Sequence, residues 1–325
     1  MGLLKVSASP HIRHEDTTRV LMSDVIIAMI PLLIWGAYIF GTRVLTVTAI
    51  SIISCVLSEY IFNLIIKKPS PIGDLSAVVS GMLIAFNLPA TIPFWILIVA
   101  GAFAMIVVKG LFGGMGKNFM NPALAARVFL FASWPSHMTN YSAPLERLSF
   151  FENTADAVSS ATSLTVLKSA QMPEFTIGDM FMGNIAGCIG EVSALLILAG
   201  GLYLIVRKVI TWHIPVSFIL TVAVLAFLCA PPTLDRFSFM LAEICSGGLM
   251  LGAVFMATDY VTSPVTAKGR IIYGIGCGFF TVFIRIFGGY PEGVSFAILI
   301  MNLFVWYLDK STKPTRFGGK KNAKA

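Results

Sequence analysis

Charged side chains are scarce in this sequence of 325 residues: Asp, Glu, Lys and Arg make up 12%, whereas 57% of the residues are hydrophobic. A soluble globular domain carries about a quarter charged residues. The mean hydropathy is +0.85, and repeated apolar runs approach the roughly 20 residues that a helix needs to cross a bilayer. The composition therefore excludes an ordinary soluble domain and predicts an all-α integral membrane protein.

Metal-binding patterns are also missing. The five cysteines lie in or beside apolar segments, and none forms a Cys-x-x-Cys pair. The four histidines are scattered, without the spacing that haem or di-iron ligation requires. We therefore interpret the cysteines as small core residues and predict no metal site held by this chain alone.

Ten apolar runs predict ten membrane-spanning helices. They lie at about 24–41, 44–66, 74–88, 93–108, 121–134, 184–206, 209–230, 237–258, 270–287 and 294–308. The sequence divides accordingly into a membrane half (1–134), a polar loop (135–183), a second membrane half (184–309) and a basic tail (310–325). The start is polar and has no apolar signal core, so we expect no cleaved leader.

The basic residues are distributed unevenly between alternating connections. With the N-terminus inside, 17 of the 23 lysines and arginines lie in cytoplasmic segments and four lie outside. This is a strong positive-inside bias. It predicts a multi-pass protein of the bacterial cytoplasmic membrane with both termini cytoplasmic and the loop 135–183 on the outer face. The net charge of +7 then reflects the orientation of the chain in the membrane, which argues against nucleic-acid binding.

The two halves resemble each other in their small-residue patterns. Phe-Gly-Gly occurs at 112–114 and again at 287–289, and Ser-Gly occurs at 80–81 and at 246–247. Each half contains five predicted spans, an odd number, so two such repeats must be inverted relative to one another. Inverted repeats with Gly- and Pro-interrupted helices place a binding site near the middle of the membrane.

The polar loop contains a stretch rich in small and hydroxyl residues, from Asp156 to Thr165. Hydroxyls at a helix start cap free N–H groups, and the same end of a helix favours a phosphate. Taken alone, the run is typical of a connector followed by an ordinary helix N-cap. Its slim side chains also leave Thr162 room to carry a bulky phosphorylated group.

Ser159-Ser160-Ala161-Thr162 resembles the flavinylation motif of a family of membrane redox subunits. The family comprises the D subunits of Rnf-type ion-translocating ferredoxin:NAD oxidoreductases and the B subunits of Na⁺-translocating NADH:quinone reductases. The resemblance implies FMN attached to Thr162 by a phosphoester bond, with Asp156 in the same stretch. Ser160 stands where many relatives have glycine, and we expect this other small residue to be accepted there. The short N-terminus favours the Rnf type.

A second stretch, Gly113 to Ala123, carries the same resemblance. It combines a glycine-rich turn that contains Lys117 with an Asn-x-x-Asn-Pro-Ala core. Asn121 and the proline after it also fit a plain capped helix start. The amides of Asn118 and Asn121 offer the donors and acceptors that a flavin edge requires. The resemblance implies that they help to hold a second, non-covalent flavin, riboflavin.

Several ionisable residues fall within or beside the predicted spans. A charge at the bilayer centre costs at least ~2.5–3.5 kcal/mol, so such residues mark either a cation pathway or structural ion pairs, for example between an acid and Arg285. The candidates for a pathway are Glu59, Asp74, Glu243 and Asp259. No spacing decides between the two interpretations for any one residue.

The resemblance implies a subunit that relays electrons through FMN and riboflavin and couples them to Na⁺ or H⁺ translocation. Its partners would be other membrane and peripheral subunits, including a second covalent flavoprotein. Alternatives are a quinone-reductase B-type chain, a channel or transporter without redox activity on the same inverted repeats, and a structural scaffold for other subunits. The fold alone does not separate these functions.

Overall fold

The computed structural model describes residues 17–67, 72–151, 162–173, 175–191, 193–289 and 292–314, which are predominantly helical. The first half contains α1 (Thr18–Phe40), α2 (Arg43–Ile66), α3 (Ser76–Phe86), α4 (Phe94–Ala102, continued by π-helical turns over Phe103–Gly110) and α5 (Pro122–Ser133). Three short helices follow: α6 (Pro135–Met138), α7 (Ser163–Lys168) and α8 (Ile177–Met182). The second half contains α9 (Ala194–Val206), α10 (His213–Leu228), α11 (Arg236–Cys245), α12 (Leu249–Leu251, continued by π-helical turns over Gly252–Met256), α13 (Ala267–Phe287) and α14 (Val294–Ser311).

Side-chain caps define several helix starts. The Asn121 Oδ1 atom accepts from the backbone N–H groups of Ala123 and Leu124, and Pro122 occupies the first helical position of α5. Asp235 caps α11 and Thr266 caps α13 in the same manner. The predicted capped start of the Asn-Pro-Ala helix is therefore confirmed.

Four helices, α1, α2, α13 and α14, are long and apolar enough to cross a membrane, and the bent pair α11–α12 brings the number to five within the described residues. Five further apolar helices are shorter, with 10–17 residues each. Every predicted span overlaps one of these helices or the bent pair, but ten crossings stay a prediction. Outward-facing side chains such as Ile65 (73% exposed) and Phe287 (74% exposed) are apolar, as a lipid-facing surface requires.

The two halves pack with a similar pattern of helix contacts. In the first half α2 packs against α3 and α4, and in the second half α10 packs against α11 and α13. Between the halves, α1 contacts α9 and α5 contacts α14. A two-fold relation would pair helices in this way, although the inverted five-helix repeat itself stays a prediction.

The break between α11 and α12 is a sharp bend of 61°. Gly247 at the bend has φ +65°, a left-handed conformation that favours glycine. Arg285 of α13 donates to the carbonyl oxygens of Glu243 at 2.7 Å and Ser246 at 3.2 Å. It thereby satisfies buried backbone groups that the end of α11 leaves free.

We expect replacement of Gly274 by leucine to destabilise the protein. A Cβ atom at Gly274 of α13 would overlap the Ser217 Oγ atom and lie 3.0 Å from the Ile214 carbonyl oxygen of α10, so these helices must separate. Overpacking costs about 1–3 kcal/mol. Thermal unfolding in detergent measures the loss. Phe279→Leu on the exposed face of the same helix is the control, and equal melting temperatures for the two variants would contradict this packing.

Candidate functional site

A cavity of about 320 Å³ lies between the two halves. Side chains of α1, α3 and α9 and of the segment after α12 supply a mainly apolar lining. A few polar side chains also face it, mainly Ser76, Lys109, Asn118, Asn121 and Asp259. Its volume and chemistry are those of a pocket for a small organic molecule, which is typically ~300–1,000 Å³ and apolar with few polar groups.

The two asparagines of the glycine-rich stretch both line this cavity, but their amides are used differently. The Asn121 Oδ1 atom caps α5, and its Nδ2 atom donates to the Met256 carbonyl oxygen at 3.2 Å. The Asn118 Nδ2 atom donates to the Met120 carbonyl oxygen at 3.1 Å, whereas its Oδ1 atom accepts no hydrogen bond from the described residues. Asn118 therefore offers an acceptor to a ligand, while Asn121 mainly holds the wall in place.

Lys117 and Lys109 are placed differently from what the sequence suggested. Lys117 is exposed and does not line the cavity. Lys109, which the sequence indicated only as one of the basic residues of the cytoplasmic connections, is 4% exposed at the cavity wall. Its burial in the last π-helical turn was missed because a basic residue at the end of an apolar run is usually in solvent.

Lys109 links two of the predicted ion-pathway acids. Its Nζ atom lies 2.6 Å from the Glu59 Oε1 atom and donates to the Ser76 Oγ atom at 2.7 Å. The Ser76 hydroxyl in turn donates to the Asp74 Oδ1 atom at 2.6 Å. Glu59, Lys109, Ser76 and Asp74 thus form a continuous polar chain beside the cavity, although Glu59 and Asp74 come from separate elements.

Asp259 also lines the cavity, from the segment that follows α12. Its Oδ2 atom accepts from the Thr262 hydroxyl at 3.0 Å, and no salt bridge to a described residue holds it. The carboxyl group therefore adds a polar group to a mainly apolar wall.

Glu243, the fourth predicted pathway acid, lies away from this cavity. The Arg285 Nη1 atom donates to its Oε2 atom at 2.6 Å, and both side chains are buried. The structure thus shows the pairing of an acid with Arg285 that the sequence offered as the structural interpretation. A buried one-to-one pair of this kind holds α11 and α13 together.

Thr162 lies at the start of α7, as the sequence predicted. Its Oγ1 atom accepts from the Thr165 backbone N–H at 3.4 Å and lies 2.8 Å from the Thr165 Oγ1 atom. Leu164 packs against Gly247 at the α11–α12 bend, and Lys168 donates to the Gly288 carbonyl oxygen. These contacts fix the start of α7 against the second half. Asp156, Ser159, Ser160 and Ala161 lie outside the described residues.

A second buried ionic cluster surrounds Arg127 of α5. Its Nη2 atom contacts the Oε1 atom of Glu191 at 3.1 Å and also the Oε2 atom of Glu292. Its Nη1 atom donates to the Asn87 Oδ1 atom at 2.8 Å and the Ser295 Oγ atom at 3.3 Å. Arg127 and Glu191 were recognisable in the sequence as buried ionisable residues, whereas Glu292 was missed. The available signal was an acid two positions before an apolar helix.

Comparison with known proteins agrees with the predicted resemblance. A profile of the NQR2, RnfD, RnfE family matches residues 5–318. The D subunit of the Na(+)-translocating ferredoxin:NAD(+) oxidoreductase complex of Acetobacterium woodii is 48% identical over 99% of this chain and 98% of its own. The D subunit of the proton-translocating ferredoxin:NAD(+) oxidoreductase complex of Clostridium ljungdahlii is 38% identical over 98% of both. The D subunit of the ion-translocating oxidoreductase complex of Stutzerimonas stutzeri is 37% identical over 92% of this chain and 91% of its own. The chain therefore belongs to the NQR2, RnfD, RnfE family.

Proposed function

We propose that this chain is the D subunit of an Rnf-type ferredoxin:NAD⁺ oxidoreductase, a multi-pass membrane protein that relays electrons and couples them to ion movement. Near full-length similarity to the D subunits of such complexes supports this assignment. The observation that carries the redox part is the cavity of about 320 Å³ lined by the family-like Asn118. The family description also includes NQR2, so a B-type quinone-reductase subunit is the second candidate.

The cavity fits the isoalloxazine ring system of riboflavin in its chemistry. Its apolar walls suit the flat aromatic rings, and its few polar groups suit the heteroatoms of one ring edge. Asn118 would accept a hydrogen bond from the ring edge, and Ser76 and Lys109 lie in the same wall. A flavin held there would supply one- and two-electron redox chemistry.

Thr162 is the proposed attachment point for FMN, through a phosphoester bond to its Oγ1 atom. Three observations support this: the family-like Ser-Ser-Ala-Thr sequence, the partial exposure of the Thr162 side chain, and the anchoring of α7 on the α11–α12 bend. Anchoring matters because a tethered electron carrier must remain within reach of the next carrier.

The proposed topology places the two flavin sites toward opposite faces of the membrane. The positive-inside bias puts Thr162 on the outer face and the glycine-rich stretch near the cytoplasmic face. Electrons would enter from a second covalent flavoprotein outside, reach riboflavin inside, and leave to a cytoplasmic redox partner, or take the reverse direction.

The chain of Glu59, Lys109, Ser76 and Asp74, together with Asp259, is the proposed ion pathway beside the inner flavin. Na⁺ and H⁺ both remain open as the ion, because one relative is named as Na⁺-translocating and another as proton-translocating. Glu243 is not part of this pathway, because Arg285 binds it elsewhere.

An absorbance spectrum of the purified protein, combined with acid precipitation, tests the proposed function. We expect a yellow preparation in which precipitation retains one flavin on the protein and releases one into the supernatant. Expression needs a host with active flavin-transfer machinery. A colourless preparation from such a host would contradict the redox function and favour a channel or transporter.

A further inference from the structure

Arg127 contacts two carboxyl groups; Arg127 and Glu191 are buried, and Glu292 is largely buried. The Arg127 Nη2 atom contacts both Glu191 and Glu292, whose side chains are 5% and 14% exposed. Oxygens of both carboxyl groups contact the same Nη2 atom, and both groups lie against Gly248. This arrangement differs from the one-to-one pair of Arg285 and Glu243, because here one guanidinium serves two acids.

The other described hydrogen-bond partners of Arg127 add no second positive charge to balance the two carboxyl groups. The other groups on Arg127 are the uncharged side chains of Asn87, Ser295 and Cys188. Arg285 is a further cation that acts on Glu292, but it already binds Glu243. Together the two arginines face three carboxyl groups, which leaves one negative charge in excess if all are ionised.

The hydrogen bonds of the two carboxyl groups also indicate that a proton is missing from the site. The Glu292 carboxylate accepts from Arg127 and, through its Oε1 atom, from the Gly248 N–H at 2.9 Å. The Glu191 Oε1 atom is buried and accepts no hydrogen bond from the described residues, although the Arg127 guanidinium lies beside it. A buried carboxylate oxygen that accepts no hydrogen bond, in a site with excess negative charge, is unfavourable. A single proton on the two carboxyl groups corrects both the charge and the missing donor.

We propose that Glu191 and Glu292 form a proton-binding site that holds one exchangeable proton between them, with Arg127 as its fixed counter-charge. The proton binds to a carboxylate oxygen of one glutamate and is hydrogen-bonded to the other. The site is then electrically neutral when loaded and carries one negative charge when empty.

The site lies between the two proposed flavin positions. Gly248, which donates to Glu292, is next to Gly247, on which the α7 segment after Thr162 packs. Arg127 lies five residues beyond Pro122 at the cavity wall, a rise of about 7.5 Å along α5. A proton held here would balance the charge of an electron passing between the flavins. This use of the proton rests on the proposed function, whereas proton binding itself does not.

Thermal unfolding of the full-length purified protein at neutral pH tests the charge balance. Glutamine imitates a protonated glutamate, so Glu191→Gln and Glu292→Gln each leave one carboxylate with Arg127. We expect both variants to melt within about 3 °C of the wild type. The matched control, Glu243→Gln, leaves Arg285 without its carboxylate and should melt roughly 5–10 °C lower.

Infrared difference spectroscopy tests the proton directly. At neutral pH the wild type should show the carbonyl stretch of a buried protonated carboxyl group, shifted in heavy water. Glu191→Gln and Glu292→Gln should lose this band, and Glu243→Gln should keep it. The infrared band and the melting temperatures do not depend on flavin, so they test proton binding alone. The flavin content of the same preparations tests the proposed function separately.

Three results would overturn the proposal. The first is absence of the protonated-carboxyl band, or its persistence in both glutamine variants. The second is a melting temperature for these variants as low as that of Glu243→Gln, or their failure to fold, since both acids would then be ionised. The third is stabilisation of the wild type, but not of Glu191→Gln, when Na⁺ replaces choline at constant ionic strength, because the ligand would then be Na⁺.

Discussion

Replacement of Thr162 by alanine is expected to abolish covalent flavin entirely, because no oxygen is left to form the phosphoester. Riboflavin in the cavity should remain, so acid precipitation would release flavin but leave none on the protein. The complex should lose electron transfer through this chain. Loss of the α7 cap costs about 0.5–2 kcal/mol, so the variant should remain folded.

Two further variants separate the loss of the phosphoester bond from the loss of the helix cap. Thr162→Asn keeps an N-cap side chain but offers no hydroxyl, so it should retain stability and lose the covalent flavin. Thr165→Ala removes the neighbouring hydroxyl, whose Oγ1 atom lies 2.8 Å from that of Thr162, and should keep the flavin. Covalent flavin that survives in Thr162→Asn, or disappears in Thr165→Ala, would contradict attachment at Thr162.

Replacement of Asn118 by leucine is expected to remove the non-covalent flavin and leave the covalent one. The substitution eliminates the Oδ1 acceptor at the cavity wall and leaves a buried polar group of the ligand without a partner. Such a loss costs about 1–3 kcal/mol, or roughly 5- to 150-fold in affinity. The flavin released by acid from the purified variant measures the effect.

Neighbouring residues provide the controls. Lys117→Leu changes an exposed side chain in the same turn and should leave riboflavin bound. Asn121→Ala should lower both riboflavin content and stability, because Asn121 caps α5 and binds the Met256 carbonyl oxygen. Full riboflavin content in Asn118→Leu, or equal loss in Lys117→Leu, would contradict a direct contact with Asn118.

Local features of this chain were predictable from sequence. Asn121 before a proline and Thr162 before an apolar segment predicted helix starts, and both side chains cap helices in the structure. Capping depends on residues two or three positions apart, so it can be read from a short sequence pattern. The apolar runs likewise indicated where the helices lie, although their bounds differ by several residues from the prediction.

The partners of the buried charges were not predictable in the same way. Arg127 and Glu292 are separated by 165 positions, and Lys109 and Ser76 by 33. Such contacts depend on how distant helices pack, and the pattern of any one helix does not specify them. For this reason Glu243 was grouped with the pathway acids, while Lys109 and Glu292 were overlooked.

The cavity also depends on tertiary packing. Its wall combines the start of α1 with the end of α9 and the segment after α12. Sequence therefore identified the family-like Asn118 and left its surroundings unknown.

Intact-mass analysis of the purified native chain, followed by peptide mapping, tests the central claim most directly. We expect the mass to exceed that of the polypeptide by one esterified FMN, located on the peptide that contains Thr162. An unmodified mass, from a host that attaches flavin to other proteins, would contradict this claim.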